Sequence, residues 1–262
     1  MVLEAEMAVD YVADPKPGHW RFWGTVAWGL VLLAISTFIQ GTTLAVIVLS
    51  RAKFPNMLDP AASSRFFATN FAGALNGATL AWAIIVSDLA CVGAIAFIIF
   101  LKNGESIRDY LSVHSVRVVT VLKWLGITAL FVILSGLLTR FLHIGPGGRE
   151  VQRILYSGTG MLWFVWVAVV LVAPLFEEVF FRGFLFRGFE TSFLKTAGAI
   201  IVTSILWAAL HVQYNFYGIV YVACLGVLFG LARAATRSLL VPLTLHVAVN
   251  FAAVASHMAA NG

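Results

Sequence analysis

Apolar runs long enough to cross a bilayer recur along this chain, and they restrict its fold more than any other feature. A helix rises 1.5 Å per residue, so about 20 residues span a hydrocarbon core of about 30 Å. Seven stretches qualify, at roughly 24–50, 78–101, 118–139, 160–189, 195–213, 216–234 and 238–257. With 61% hydrophobic and 11% charged residues among 262, and a mean hydropathy of +0.94, a water-soluble globule is a poor explanation. The expected fold is all-α, a polytopic transmembrane bundle of about seven helices, six to eight in range.

The connections are short, the longest being 51–77, so no soluble domain is appended. Turn-forming residues cluster in NMLDPAASS at 56–64, KNGES at 102–106 and HIGPGGRE at 143–150. The last cluster separates a front part, a 1–23 segment and the helices of 24–157, from a back part at 158–258 that holds nearly all the unusual polar residues. Glu4, Glu6, Asp10 and Asp14 stand where a signal peptide would be basic, and the apolar run after them is about twice a signal peptide's, so the first helix is expected to be retained. Trp20, Trp23 and Trp28 read as interface anchors.

The net charge of +5 is scattered over short loops without an aromatic-basic patch, which argues against a nucleic-acid partner. With the N-terminus cytoplasmic, one side collects Lys16, Arg21, Lys102, Arg108, Arg117, Arg182, Arg187, Lys195, Arg233 and Arg237. The other side collects Arg51, Lys53, Arg65, Arg140, Arg149 and Arg153, so the positive-inside rule favours that orientation. Cys91 and Cys224 fall inside apolar spans as small fillers, not as a disulfide framework or a CxxC metal site. Gly226 and Gly230, like Gly73 and Gly77, have the GxxxG spacing that lets helices approach closely.

Ionisable groups inside a span normally face a partner or a watery cavity, because exposing one to lipid costs at least ~2.5–3.5 kcal/mol. The back part has Glu177, Glu178, Arg182, His211, His246 and Asn250. Glu178 and Arg182 are four apart and share a helix face, whereas Glu177 points about 100° away. That division suits a structural Glu178–Arg182 ion pair beside a free Glu177 facing a cavity, where desolvation would favour a general-base role. His246 and Asn250, also four apart, share a face. Counted from the turns near 190–194 and 234–237, Glu177, His211, His246 and Asn250 lie about 20, 25, 13 and 19 Å deep. Pro174 removes a backbone hydrogen bond one turn before the carboxylates and is expected to kink or open the helix.

EEVFFRG, WAALH and HVAVN, in that order and on successive helices, resemble the EExxxR, FxxxH and HxxxN signatures of the CAAX protease and bacteriocin-processing family of intramembrane endopeptidases, bacterial type. The resemblance covers about 160–257, with Trp207 where the family usually has Phe. It implies peptide-bond hydrolysis within the membrane of a bacterial cell, on a membrane-embedded or lipid-modified protein substrate. Glu177 would activate water, His211 would help position it, His246 and Asn250 would stabilise the oxyanion, and Glu178 with Arg182 would hold the first carboxylate. The cofactor question stays open. His211, His246 and a glutamate would make a zinc ligand set, but spending Glu177 as a ligand removes the obvious base, which favours water activated directly by Glu177.

Two other classes compete. A proton- or ion-coupled transporter would use the same residue types as a relay, but the inverted repeats and paired broken helices of such proteins are not visible. A membrane scaffold or immunity protein on the same fold would be expected to lose some of the motifs, which are intact. Asp88, in the middle of AWAIIVSDLACVG, is assigned by no motif; a structural partner on another helix is the favoured reading over a place in the same cavity. His19, His114, His143 and His257 read as interfacial.

Overall fold

A computed structural model describes residues 20–51, 76–102, 104–144 and 162–261. The acidic segment before Trp20, His19, the 56–64 cluster, Gly73 and most of HIGPGGRE lie outside the described residues. Among those described, the chain is helical: α1 Phe22–Arg51, α2 Gly77–Leu101, a single-turn α3 Ile107–Tyr110, α4 Val118–Phe141, a composite α5 over 162–190, α6 Lys195–Ala209, α7 Phe216–Thr236 and α8 Leu240–Asn261. Six are long and apolar enough to cross a membrane, all but α3 and α6. The chain is a multi-pass membrane protein. The apolar run at 195–213 gives a helix of only 15 residues, about 22 Å long and short of the bilayer core. It closes with tightened bonds, Leu210 N–H to Trp207 O and His211 N–H to Ala208 O, and Asn215 then caps α7 by accepting from Gly218 N–H at 2.9 Å.

Helix α5 is the axle of the bundle. In its most apolar window 56% of residues are buried, against 6% in α4 and 11% in α1. Phe180, Phe181, Phe184, Phe186 and Phe189 are all buried at positions that circle the helix, the pattern of a helix packed on every side. Helix α1 packs on α2 and on the end of α5, where Gly188 is required: a Cβ there would lie 1.9 Å from Thr25 Oγ1. Helix α6 packs tightly on α7, where a Cβ on Gly226 would meet Ser204 Cβ at 2.9 Å and its Cα at 3.0 Å. Gly226 thus has the packing role expected of the GxxxG spacing.

Two wide π-helical segments, Val167–Val172 and Val179–Leu185, interrupt the α turns of α5 at Leu162–Trp166, Ala173–Glu178 and Phe186–Glu190. Each leaves one carbonyl bypassed. In the first, Ala173 N–H donates five residues back to Ala168 O, and Pro174, which has no N–H, cannot serve Val169 O. Asn250 Nδ2 from α8 donates to that carbonyl at 2.9 Å. In the second, Phe186 N–H donates to Phe181 O and Gly183 O, passing over Arg182 O. Arg233 Nε from α7 donates there at 3.1 Å. The disturbance expected at Pro174 is therefore absorbed by a wide turn and a side chain from another helix.

Arg182 and Arg233 are 0% and 3% exposed. Neither is a loop charge, so two of the ten basic residues in the orientation count drop out of it. Cys91 is buried with its thiol against Leu32 O at 3.7 Å, Cys224 is exposed, and both are free. Trp23 lies at the surface, while Trp20 carries the Lys102 ammonium 3.6 Å from its ring centroid.

Candidate functional site

The residues singled out by their unusual polarity converge where α5, α6 and α8 meet. Glu178 and Arg182, both fully buried, form the i,i+4 pair at 3.0 Å between Oε1 and Nη1. The guanidinium also donates from Nη2 to Gly226 O at 3.2 Å and lies 4.5 Å from the Trp207 ring centroid and 5.6 Å from that of Phe229. Protein dipoles and aromatic faces replace its hydration at the two Nη atoms, while Nε has no hydrogen-bond partner among the described residues. Glu178 Oε1 is shared with His246 Nδ1 at 2.9 Å. An ionised carboxylate only accepts, so the proton of this bond sits on Nδ1 and His246 Nε2 is turned the other way.

Nε2 of His246 lies 3.9 Å from Glu177 Oε2, beyond hydrogen-bond distance, so the imidazole is bonded to one carboxylate and faces the other. Glu177 keeps 22% of its side chain exposed, whereas Glu178 keeps none. The 100° step between neighbouring positions separates one sealed acid from one open acid. Trp207 Nε1–H donates to Glu177 Oε2. Trp207 thus does more than pack: the indole supplies a donor that phenylalanine lacks, and the exchange of Trp for Phe was the sequence signal for it.

His211 falls just beyond the end of α6, in the turn, with Nδ1 2.8 Å from Trp207 O and its ring stacked on Tyr214 at 5.8 Å between centroids. It joins Glu177 through Trp207, which bonds the carboxylate and faces the His211 ring edge-on at 5.2 Å. Burial, and then the charge of Glu177, push the Tyr214 phenol above its ordinary range, so it stays a donor. Nothing in its spacing marked Tyr214. Asn250 meets α5 about two turns before the acids, its amide nitrogen held by Val169 O, a helix-pinning bond that the resemblance does not imply.

Asp88 on α2 is buried, with Oδ1 accepting from Ser87 Oγ at 3.1 Å, and it lies within electrostatic reach of Glu177. Helix α2 thus brings a third carboxylate towards the site from the front half. Among the described residues, no three His, Cys, Asp or Glu side chains are arranged to hold a metal ion. Among the described residues, His211, His246 and a glutamate are not gathered as a zinc-type ligand set in this geometry.

A bundle of membrane-crossing helices that encloses two carboxylates, an arginine and a histidine defines the class: a multi-pass membrane protein with a desolvated polar site in its interior. Residues 158–252, a little over a third of the chain, match the model of the family described as type II CAAX prenyl endopeptidase Rce1-like. It is also similar to an Escherichia coli protein described as an uncharacterized 24.3 kDa protein, 35% identical over 83 residues. That match covers 30% of this chain and 38% of the relative's length. No solved structure matches the chain.

Proposed function

We propose that this protein is an intramembrane endopeptidase that cleaves a membrane-associated, CAAX-type or bacteriocin-like protein substrate with water activated by Glu177. The observation that carries this reading is the division of labour between adjacent acids. Glu178 is sealed on Arg182 and His246, while Glu177 is partly open and held by Trp207 Nε1–H.

The water oxygen attacks the scissile carbonyl carbon as Glu177 takes up its proton, giving a tetrahedral oxyanion. The carbon–nitrogen bond then breaks, and the same proton passes from Glu177 to the leaving amine. In its protonated form His246 has Nδ1–H committed to Glu178 and Nε2–H directed to the Glu177 side, where it stabilises the oxyanion. His211 and Tyr214 border the same space and orient water or the substrate backbone. Glu178 and Arg182 position His246, and Asn250 positions α5 against α8.

The test is cleavage of a prenylated CAAX peptide, or of a membrane-protein library read out by new C-termini, by purified protein in lipid vesicles. Glu177→Gln is nearly isosteric and should lower turnover at least ~10²-fold, the low end for a general base, with an unchanged melting temperature. Full turnover by Glu177→Gln on a substrate that the wild type cuts would refute this assignment.

A further inference from the structure

The resemblance accounts for Arg182 but not for the second buried arginine, Arg233. It lies in the last turn of α7, 3% exposed, with no carboxylate at ion-pair distance among the described residues. Its fork is divided between two elements. Nε donates to Arg182 O at 3.1 Å, the carbonyl bypassed by the second wide turn, and Nη2 donates to Ser112 Oγ at 2.6 Å in the α3–α4 connection. The Phe186 ring lies 5.3 Å from the guanidinium carbon.

The Ser112 end is itself anchored. Ser112 adopts φ 56°, a left-handed conformation that serine takes only when its surroundings fix it, and its carbonyl accepts from Leu239 N–H at 2.9 Å. Tyr110 stacks on Phe184 at 6.2 Å, and Leu111 fills the space above Gly183, where a Cβ would lie 2.8 Å from Leu111 Cδ2. The α3–α4 connection therefore clasps the wide turn 179–185 from outside, and Arg233 ties clasp and turn together.

We infer that Arg233 is a positioning residue for the Glu177 site, locking the wide turn whose geometry aims Arg182 at Glu178. This rests on the endopeptidase reading above. The chain of contacts is continuous: Arg233 to the Arg182 backbone, the Arg182 side chain to Glu178, Glu178 to His246, and His246 to the Glu177 side. A guanidinium is required because Nε and Nη2 reach two acceptors on different elements at once; a lysine ammonium keeps the charge but not the fork.

The test is Arg233→Lys in vesicles, with three readouts: turnover split into kcat and KM, melting temperature, and amide hydrogen exchange of peptides covering 179–190 and, as control, 118–141. Positioning predicts a kcat lower by about 10-fold or more, as for one lost charge-assisted hydrogen bond, with KM within about 2-fold. Exchange at 179–190 should rise while 118–141 is unchanged. A fall in melting temperature with unaltered kcat, or unchanged exchange at 179–190, overturns the inference. If Arg233→Lys does not fold, Ser112→Ala, which removes only the Nη2 acceptor, must give the same signature at smaller amplitude, and its failure to do so counts equally against it. If the wild type cleaves nothing, the endopeptidase reading fails, and the exchange readout alone decides whether Arg233 locks the turn.

Discussion

Replacing Arg182 by methionine keeps a long apolar stem but strands Glu178, a carboxylate with no exposed side-chain surface. Removing one partner of a buried ion pair costs roughly 3–5 kcal/mol, because the remaining charge is neither solvated nor matched. The stranded acid can take up a proton instead, which for an ordinary glutamate at pH 7 costs about 3.7 kcal/mol and so limits the loss. His246 still contacts the same oxygen, and Gly226 O loses its donor, two smaller effects of opposite sign. A deficit of about 3–4 kcal/mol corresponds to a melting temperature lower by roughly 6–16 °C for a chain of this size. The assay is thermal unfolding in detergent, with Arg182→Met/Glu178→Gln as the partner variant. With both charges gone, at least ~2 kcal/mol should return. An Arg182→Met protein within ~1 kcal/mol of wild type, or a double variant no better than the single, would remove the buried-pair account.

Two further outcomes follow from the backbone of α5 and its neighbours. Asn250→Ala strands Val169 O and should cost about 1–3 kcal/mol in the same assay; adding Pro174→Ala restores an N–H and should recover part of the loss, and no recovery would show that Asn250 acts otherwise. Gly226→Ala should destabilise by roughly 1–3 kcal/mol through its clash with Ser204, with partial rescue by Ser204→Gly, and a neutral Gly226→Ala would mean that α6 and α7 can separate freely.

Much of this was legible from residue type and spacing. The spans follow from apolar length, and the Glu178–Arg182 pair from the four-residue step. What stayed hidden has physical causes. The wide turns add a residue without altering hydropathy, so nothing in an apolar run such as FVWVAVVLVAP reports them except the proline. Arg233 was counted as loop basicity because an arginine near a helix end normally reaches water; the bypassed Arg182 carbonyl and Ser112 Oγ, far apart in the sequence, explain its burial. His211 sits in a turn because α6 is shorter than the apolar run that contains it. Trp207 showed its aromatic character in the sequence, but not that its N–H would find a carboxylate 30 positions away.

The wide turns also carry an arithmetic consequence. Each inserts one residue relative to an unbroken α-helix, and one residue is about 100° of rotation. Between Leu162–Trp166 and Phe186–Glu190 the helix therefore changes phase twice, by roughly 200° in all. The face that meets α1 at Gly188 is not the one that counting in threes and fours from Trp166 would select. A single-residue deletion in 179–185 that restores regular turns would take out the inserted residue, and so would keep the Gly188 end facing Thr25 and leave the acids in place. For this helix, length in residues and direction of face are separate quantities, and a sequence alignment that closes such a gap would misassign everything downstream of it.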